Sequence, residues 1–294
     1  MTHQAWEFTE GDPISDTLTA MRLLGGGERF EAYLAFDDHR YCPVVVKVIR
    51  PDQVADAAAL RGLRREYRLA RSLDHPVLVR AFDLVEDGPR PHLVLEHLDG
   101  PRLSSLLRRH GPLPPQQLLP LGIEVASALH YLHREDVVHL DVKPSNIIMG
   151  APPRLIDLSI ARPVEVAARL DYTVGTDRYL APEQADPPRS GVPGPASDVF
   201  GLGATLFEAH AGYRPFDDGV TDADAPAEHR WPQLLDDPRP LPDTTPDELA
   251  KPLLACLEHD PANRPTAAEL AEAFEPLLAG LPKPVLGGFR PGRR

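Results

Sequence analysis

Cysteine is scarce in this chain of 294 residues, which contains only Cys42 and Cys256. The two lie far apart, and neither belongs to a CxxC pair or has a histidine at a zinc-ligand spacing. This argues against a disulfide framework and against a zinc site. A reducing compartment fits such usage best, and we expect a cytoplasmic protein.

Long apolar runs and an excess of basic charge are absent as well. No segment approaches the ~18 consecutive apolar residues that a membrane span needs, and the first residues lack the order of a signal peptide. Lysine and arginine number 31 against 44 acidic residues, which gives a formal net charge of −13. We therefore expect a soluble protein with no membrane partner and no nucleic acid as its main partner.

The residues that are present are those of a globular protein. Hydrophobic residues make up 42% of the chain and charged residues 26%, which permits a sizeable core. Proline is abundant, with 34 residues, and it concentrates in segments 184–195 and 232–246. Because proline interrupts helices and sheets, we predict that both segments are loops.

Hydrophobic patterning divides the chain into two lobes. Short apolar runs broken by turn residues, with one helical stretch, predict a small sheet carrying one helix over residues 18–97. Apolar residues then recur at helical spacing over residues 98–281, in stripes at 118–132, 199–209 and 267–278. The sequence thus predicts an α+β fold in which residues 1–17 form an N-terminal extension. Residues 282–294 are predicted to be a flexible basic tail, a solvated end rather than a docking segment.

A glycine-rich turn and two charged residues mark the first lobe. Gly25 to Gly27 lack side chains, so backbone N–H groups there can approach phosphate oxygens, although a flexible turn explains the same residues. Lys47 lies in a β-branched strand, where its ammonium either reaches water or meets an anion in a cleft. Glu66 lies beside the apolar stripe of the next helix and can pair with Lys47.

Four polar residues stand among apolar runs in segments 137–149 and 155–159, where burial without a partner is costly. A carboxylate that accepts a hydroxyl proton, a cation for phosphate, and oxygen ligands for a hard divalent ion form the set that phosphoryl transfer uses. A hydrogen-bonded turn is the alternative interpretation. The four residues are Asp141, Lys143, Asn146 and Asp157.

Together these motifs resemble a protein kinase catalytic domain, most similar to the eukaryotic-like Ser/Thr kinases of bacteria, over about residues 18–280. The resemblance implies a bilobal kinase fold and transfer of the γ-phosphoryl group of ATP to serine or threonine of a protein substrate. It also implies Mg²⁺, or Mn²⁺ in its place, and self-association as one arrangement for autophosphorylation.

The resemblance assigns a role to each motif residue. Lys47 would contact the α- and β-phosphates, with Glu66 orienting it, and Asp141 would be the catalytic base beside the γ-phosphate contact Lys143. Asn146 and Asp157 would be the magnesium ligands. The residues implied to bind ATP are Leu24, Gly25, Gly26, Gly27, Ala32, Val45, Lys47, Glu96, Leu98 and Ile148.

The second half of the sequence favours a protein substrate over a small molecule. Residues 175–184 resemble the end of an activation segment, in which Thr176 would touch Asp141 and Lys143. In the same family pattern Glu183 would pair with Arg264. Asp198 resembles the carboxylate that braces the catalytic loop. A small-molecule phosphotransferase is therefore the less favoured reading.

Three positions depart from the family pattern. Phe30 stands at the third loop glycine, and Ser159 replaces the glycine after Asp157 and Leu158. Leu140 replaces the arginine that receives an activation-segment phosphate, so we predict that activity does not require phosphorylation of Thr173 or Thr176. A nucleotide-binding pseudokinase that acts as a scaffold or allosteric regulator is the alternative function.

Overall fold

The computed structural model describes residues 4–222 and 224–282, which form two lobes. Residues 283–294 of the predicted tail lie outside the described residues. The first lobe is a five-stranded antiparallel sheet with one long helix. The strands are β1 (Leu18–Gly26), β2 (Phe30–Asp37), β3 (Cys42–Ile49), β4 (Ala81–Val85) and β5 (His92–Glu96), and the helix is α1 (Ala57–Ser72). The strands lie in the order β1-β2-β3-β5-β4.

Both faces of this sheet are covered. Side chains alternate across a strand, so Val44, Val46 and Val48 of β3 are buried on the outer face. Val45 packs on the other side, against the core that includes α1. The carboxylate of Asp56 caps α1 by accepting from the Ala58 N–H at 2.8 Å. The apolar stripe of this helix packs against that core: Leu63 and Ala70 are buried, as is Glu66 beside them, whereas Leu60 and Tyr67 are partly buried.

Residues 4–14 cover the outer face, and we call them the N-terminal strap. Ile14 of the strap is buried, and Trp6 and Phe8 pack against the core formed by the β3 valines. The two aromatic rings are stacked with centroids 5.7 Å apart. Most of the segment predicted as an extension is therefore part of the N-terminal lobe's packing.

The second lobe is mostly helical, as predicted. Helix α3 packs along α7 and α10, and these three helices carry the apolar stripes read from the sequence. Its helices are α2 (Leu103–His110), α3 (Pro115–Arg134), α4 (Val164–Ala167), α5 (Pro182–Ala185), α6 (Pro187–Ser190), α7 (Pro195–Ala211), α8 (Ala227–Arg230), α9 (Asp247–Ala255) and α10 (Ala267–Gly280). Two small antiparallel pairs join β6 (Val137–Val138) to β9 (Arg162–Pro163) and β7 (Ile147–Ile148) to β8 (Arg154–Leu155).

The proline-rich segments are not loops throughout, and that prediction is wrong wherever they contain helical turns, which include the end of α5 and the start of α7. Segment 184–195 contains the one-turn helix α6, which begins at Pro187, and segment 232–246 begins with the 3₁₀ turn Pro232–Leu234. Proline lacks an N–H, but the first residues of a helix need no N–H donor. Proline therefore starts these short helices instead of preventing them.

The cysteines, the helices and the metal-ligating side chains each relate to a prediction from the sequence. Cys42 and Cys256 are both free. Across residues 4–222 and 224–282, no helix has both the length and the apolar character that crossing a bilayer requires. Over the same residues, no group of three or more His, Cys, Asp and Glu side chains is arranged to hold a metal ion.

Candidate active site

A cleft of about 690 Å³ lies between the lobes, and its size is that of a small-ligand site. The glycine turn and β3 line one side, and the segment from Lys143 to Ser159 lines the other. Of the sequence-predicted residues, the cleft is lined by Leu24, Gly25, Gly26, Gly27, Ala32, Val45, Lys47, Glu66, Glu96, Leu98, Lys143, Asn146, Ile148 and Asp157.

A three-residue ion cluster joins the two lobes inside the cleft. The Lys47 ammonium donates to Glu66 Oε2 at 2.7 Å and to Asp157 Oδ1 at 2.9 Å. Burial disfavours the charged ammonium, but the carboxylates of Asp157 and Glu66 outweigh this effect, so the pKa of Lys47 is raised. Burial likewise opposes ionisation of Asp157, yet the Lys47 charge holds its pKa well below the usual range. Burial raises the pKa of Glu66, although the Lys47 ammonium opposes this effect. Lys47 and Asp157 are therefore both charged at neutral pH.

A second cluster surrounds Asp141. Its Oδ2 accepts from Lys143 Nζ at 2.7 Å and from Asn146 Nδ2 at 3.0 Å, and its Oδ1 accepts from the Thr176 hydroxyl at 2.7 Å. Lys143 also donates to Thr176 Oγ1. Thr176 and Lys143 thus meet at the Asp141 carboxylate, as the family resemblance implied.

Asp198 braces the backbone that leads into Asp141. It lies in the first turn of α7 and is buried, where it accepts from the backbone N–H of Leu140 at 2.7 Å and of His139 at 2.9 Å. His133 Nε2 lies 3.0 Å from the Asp198 Oδ2 atom. Because Leu140 has φ of 64°, these bonds hold a backbone conformation that leucine rarely adopts.

The residues predicted to hold a metal ion offer a suitable donor set. The Asn146 amide nitrogen is occupied by the Asp141 backbone carbonyl at 2.9 Å and by its carboxylate, which leaves the amide oxygen as an acceptor. Asp157 supplies carboxylate oxygens across the same cleft. One carboxylate and one amide oxygen beside a phosphate site fit a hard divalent ion, which takes its other ligands from phosphate and water.

The hinge between the lobes is fixed by the Glu96 side chain. Its Oε1 accepts from the Arg154 guanidinium and from the Arg80 N–H at 2.8 Å. The Glu96 backbone N–H also donates to the Arg80 carbonyl, at 3.0 Å. Glu96 and Leu98 both line the cleft, and their role as adenine contacts stays a prediction. Sequence reasoning missed Arg154, because only the fold brings β8 to the end of β5.

Glu183 and Arg264 form a bidentate ion pair in the second lobe. The Arg264 Nη1 lies 2.7 Å from Glu183 Oε1, and its Nη2 lies 2.9 Å from Oε2. The Ser197 hydroxyl donates to the same carboxylate at 2.6 Å. Both side chains are fully buried, so the pair predicted from the sequence is present with its charges satisfied.

Leu140 packs in an apolar cluster instead of facing a charge. It is buried with Val138 of β6 and with Ala167 and Leu170 of the activation segment. Val174 of the same segment packs against this cluster from the side. Apolar contact therefore holds the segment at the position where the family pattern has an arginine.

The other two departures also have structural partners. The Phe30 ring centroid lies 5.0 Å from Lys47 Nζ, and Gly62 of α1 leaves space beside that ring. Ser159 is not among the residues with positive φ, so its position does not require glycine in this structure. Its carbonyl accepts from Arg65 of α1, with Nε at 3.1 Å. Arg65 gave no signal in the sequence beyond its place next to Glu66.

The comparisons with known proteins agree with this geometry. The protein kinase domain family model matches residues 18–274, and the chain belongs to this family. It is 33% identical over 283 residues to the serine/threonine-protein kinase PknB of Mycobacterium leprae. The aligned region covers 92% of this chain and 44% of that protein.

Two further relatives come from other bacteria. The chain is 32% identical over 275 residues to PrkC of Bacillus subtilis, covering 90% of this chain and 40% of the relative. It is 35% identical over 247 residues to PkaA of Streptomyces coelicolor, covering 81% and 44% respectively. Both are named serine/threonine-protein kinases. The chain thus spans less than half the length of each of these three relatives.

Proposed function

We propose that this chain is an active serine/threonine protein kinase that transfers the γ-phosphoryl group of ATP to protein hydroxyls. The observation that carries the proposal is the placement of two charge clusters at one cleft. Lys47, Glu66 and Asp157 form one, and Asp141 with Lys143 anchors the other. Names of the three relatives support the same activity. The lobe boundaries 18–97 and 98–281 are part of this proposal.

Asp141 is the proposed base and orienting group for the acceptor hydroxyl. Lys143, Asn146 and Thr176 fix its carboxylate, so the side chain does not need to reorganise during reaction. Two oxygens offer about four lone-pair directions, so the carboxylate can also accept from a substrate hydroxyl. General-base assistance contributes about 10²–10⁴-fold, and positioning supplies much of the remainder.

The remaining residues bind the nucleotide. Lys47 presents its ammonium to the α- and β-phosphates while Glu66 keeps it in place. Asn146 and Asp157 would hold Mg²⁺, or Mn²⁺ in its place. An ion held by these two residues would neutralise the charge that develops on the phosphate. Lys143 meets the γ-phosphate beside the Asp141 carboxylate.

Activity independent of activation-segment phosphorylation is part of the proposal. In kinases that need the modification, the new phosphate orders the segment through arginine. Here Leu140, Ala167 and Leu170 share a buried cluster, and the Thr173 hydroxyl donates to the Ala185 carbonyl at 3.0 Å. These contacts support an ordered segment without phosphate.

The test is phosphotransfer from labelled ATP with Mg²⁺, to the protein itself and to a generic basic protein. Lys47→Ala and Asp141→Asn should each remove most transfer. Lys251→Ala and Asp243→Asn are matched controls, because both side chains are exposed and remote from the cleft lining. Unchanged transfer by Asp141→Asn refutes the role of that carboxylate.

The competing function is a nucleotide-binding pseudokinase, and the position of Phe30 is the observation that favours it. The ring lies against Lys47 in the cleft where phosphates would pass. Nucleotide binding without transfer by the wild type would establish this alternative. Transfer to a metabolite and to no protein would establish a small-molecule phosphotransferase. A protein substrate, self-association and a cytoplasmic location remain predictions.

A further inference from the structure

The N-terminal strap shares a buried carboxylate with the lobe that carries the glycine turn. Glu31 of β2 is 2% exposed. Its Oε2 accepts from the backbone N–H of Trp6 at 2.9 Å, and its Oε1 lies 3.2 Å from Arg50 Nη1. One side chain therefore links the strap to an arginine at the end of β3.

Arg50 also forms hydrogen bonds to the glycine turn. Its Nε donates to the Gly27 carbonyl at 2.7 Å, and its Nη1 donates to the Gln4 carbonyl at 3.1 Å. The Arg50 backbone N–H donates to the Arg29 carbonyl at 2.9 Å. The same residue thus holds the turn at two carbonyls and the strap at one. Charged donors make such bonds stronger than neutral ones.

The strap is itself firmly held, so it can act as a fixed support. The Trp6 indole N–H donates to the Ile49 carbonyl at 2.8 Å. The Arg90 guanidinium lies 5.4 Å from the Trp6 ring and 5.0 Å from the Phe8 ring. Arg90 Nη1 also donates to the Pro13 carbonyl at 2.6 Å.

We propose that the N-terminal strap positions the glycine turn through Arg50 and thereby sets the affinity for ATP. The inference rests on the proposed function, since it takes the cleft to bind nucleotide. A turn of consecutive glycines samples many backbone conformations, and binding phosphate requires one of them. The Arg50 bond to Gly27 restricts the turn before ATP arrives. Trp6, Glu31 and Arg50 are positioning residues in this scheme.

The first experiment compares two arginines with the same kind of partner. Arg50 and Arg40 each pair with a buried carboxylate of β2, Glu31 and Asp37 respectively, but Arg40 lies at the opposite end of the strand from the glycine turn. Loss of one charge-assisted bond predicts that Arg50→Met weakens ATP binding about tenfold. KM for the protein acceptor and kcat should stay unchanged, and Arg40→Met should leave ATP binding within about twofold of wild type.

The second experiment asks whether the strap acts through Arg50. Trp6→Ala, Arg50→Lys and the double variant form a cycle in which a non-hydrolysable ATP analogue is titrated by calorimetry. Arg50→Lys keeps a charge beside Glu31, so it also serves if Arg50→Met does not fold. Each single variant should raise Kd, and the double variant should bind no more weakly than Arg50→Lys alone. If Trp6→Ala does not fold, Trp6→Phe replaces it, since it removes the indole N–H donor and keeps a smaller aromatic ring against the sheet.

The outcomes separate this inference from the proposed function. A wild type that binds the analogue but transfers no phosphate refutes kinase activity and still tests the strap. Kd values that are unchanged in the strap variants overturn the strap inference alone. So do changes in binding free energy that simply add in the double variant. No nucleotide binding by the wild type overturns both.

Discussion

The guanidinium of Arg264 and the carboxylate of Glu183 meet through two parallel hydrogen bonds in the interior of the second lobe. The remaining Arg264 donors are bound by the carbonyls of Glu258, Ala196 and His259. The pair joins the end of the activation segment to the residues before α10. The pair therefore fixes the end of the activation segment to the helical core.

Removing one member of this pair should be strongly destabilising. Arg264→Met leaves the Glu183 carboxylate buried without its cation, which costs about 3–5 kcal/mol in the free energy of unfolding. Urea denaturation measures this cost. Arg239→Met breaks the exposed pair with Asp217 and is the control, with an expected cost of at most about 1 kcal/mol. Equal costs for the two variants would contradict the structural role.

Truncation of Leu140 should lower the free energy of unfolding more than truncation of an exposed leucine. Leu140→Ala removes buried volume from the cluster with Ala167 and Leu170, and such truncations cost about 2–5 kcal/mol. Leu235→Ala is the matched control, because that side chain is 71% exposed. Limited proteolysis of the activation segment should accelerate in Leu140→Ala alone. Unaltered cleavage would show that the cluster does not hold the segment.

Thr173→Ala should remain active. The substitution loses the hydroxyl bond to the Ala185 carbonyl, a cost of about 1 kcal/mol, and removes a candidate phosphorylation site. Steady-state phosphotransfer of this variant should stay within tenfold of wild type. Thr173→Ser retains the hydroxyl and should match wild type. Activity of Thr173→Ala below a tenth of wild type would mean that the segment depends on this residue.

The ion pair between Lys47 and Asp157 should contribute to stability in a pH-dependent way. The pKa of Asp157 is lowered by the Lys47 ammonium, so the folded state favours the ionised carboxylate. Its contribution is full above the ordinary value of 3.8 and is lost as the pH falls through the lowered pKa. Urea unfolding of wild type and Asp157→Asn should differ by about 1 kcal/mol at pH 6 to 7, and the difference should shrink below pH ~4. A difference that grows with acidity would contradict this sign.

The two thiols should differ in reactivity. Burial raises the pKa of Cys256 to about 12, so at pH 8 its thiol is protonated and shielded. Cys42 at the start of β3 is only partly buried. Ellman's reagent should therefore modify one thiol in the folded protein and two after denaturation. A Cys42→Ser variant should show no fast reaction, whereas fast modification of Cys256 would contradict its burial.

The sequence by itself determined which polar residues form the site. The place of Glu66 beside the apolar stripe of its helix predicted its pairing with Lys47, and the resemblance to the kinase family implied the pairing of Glu183 with Arg264. Helical and strand periodicity likewise predicted α1, α3, α7 and α10, since burial of one face repeats along the chain.

Only the tertiary structure decided the contacts between motifs that lack such a signature. The strap has no periodic pattern, and its packing on the outer face of the sheet depends on the valines of β3. The link from Arg50 to Gly27 and the neighbours of Leu140 arise where distant segments meet. Spacing along a chain fixes which side chains share a face, whereas partners across elements are set by how those faces pack.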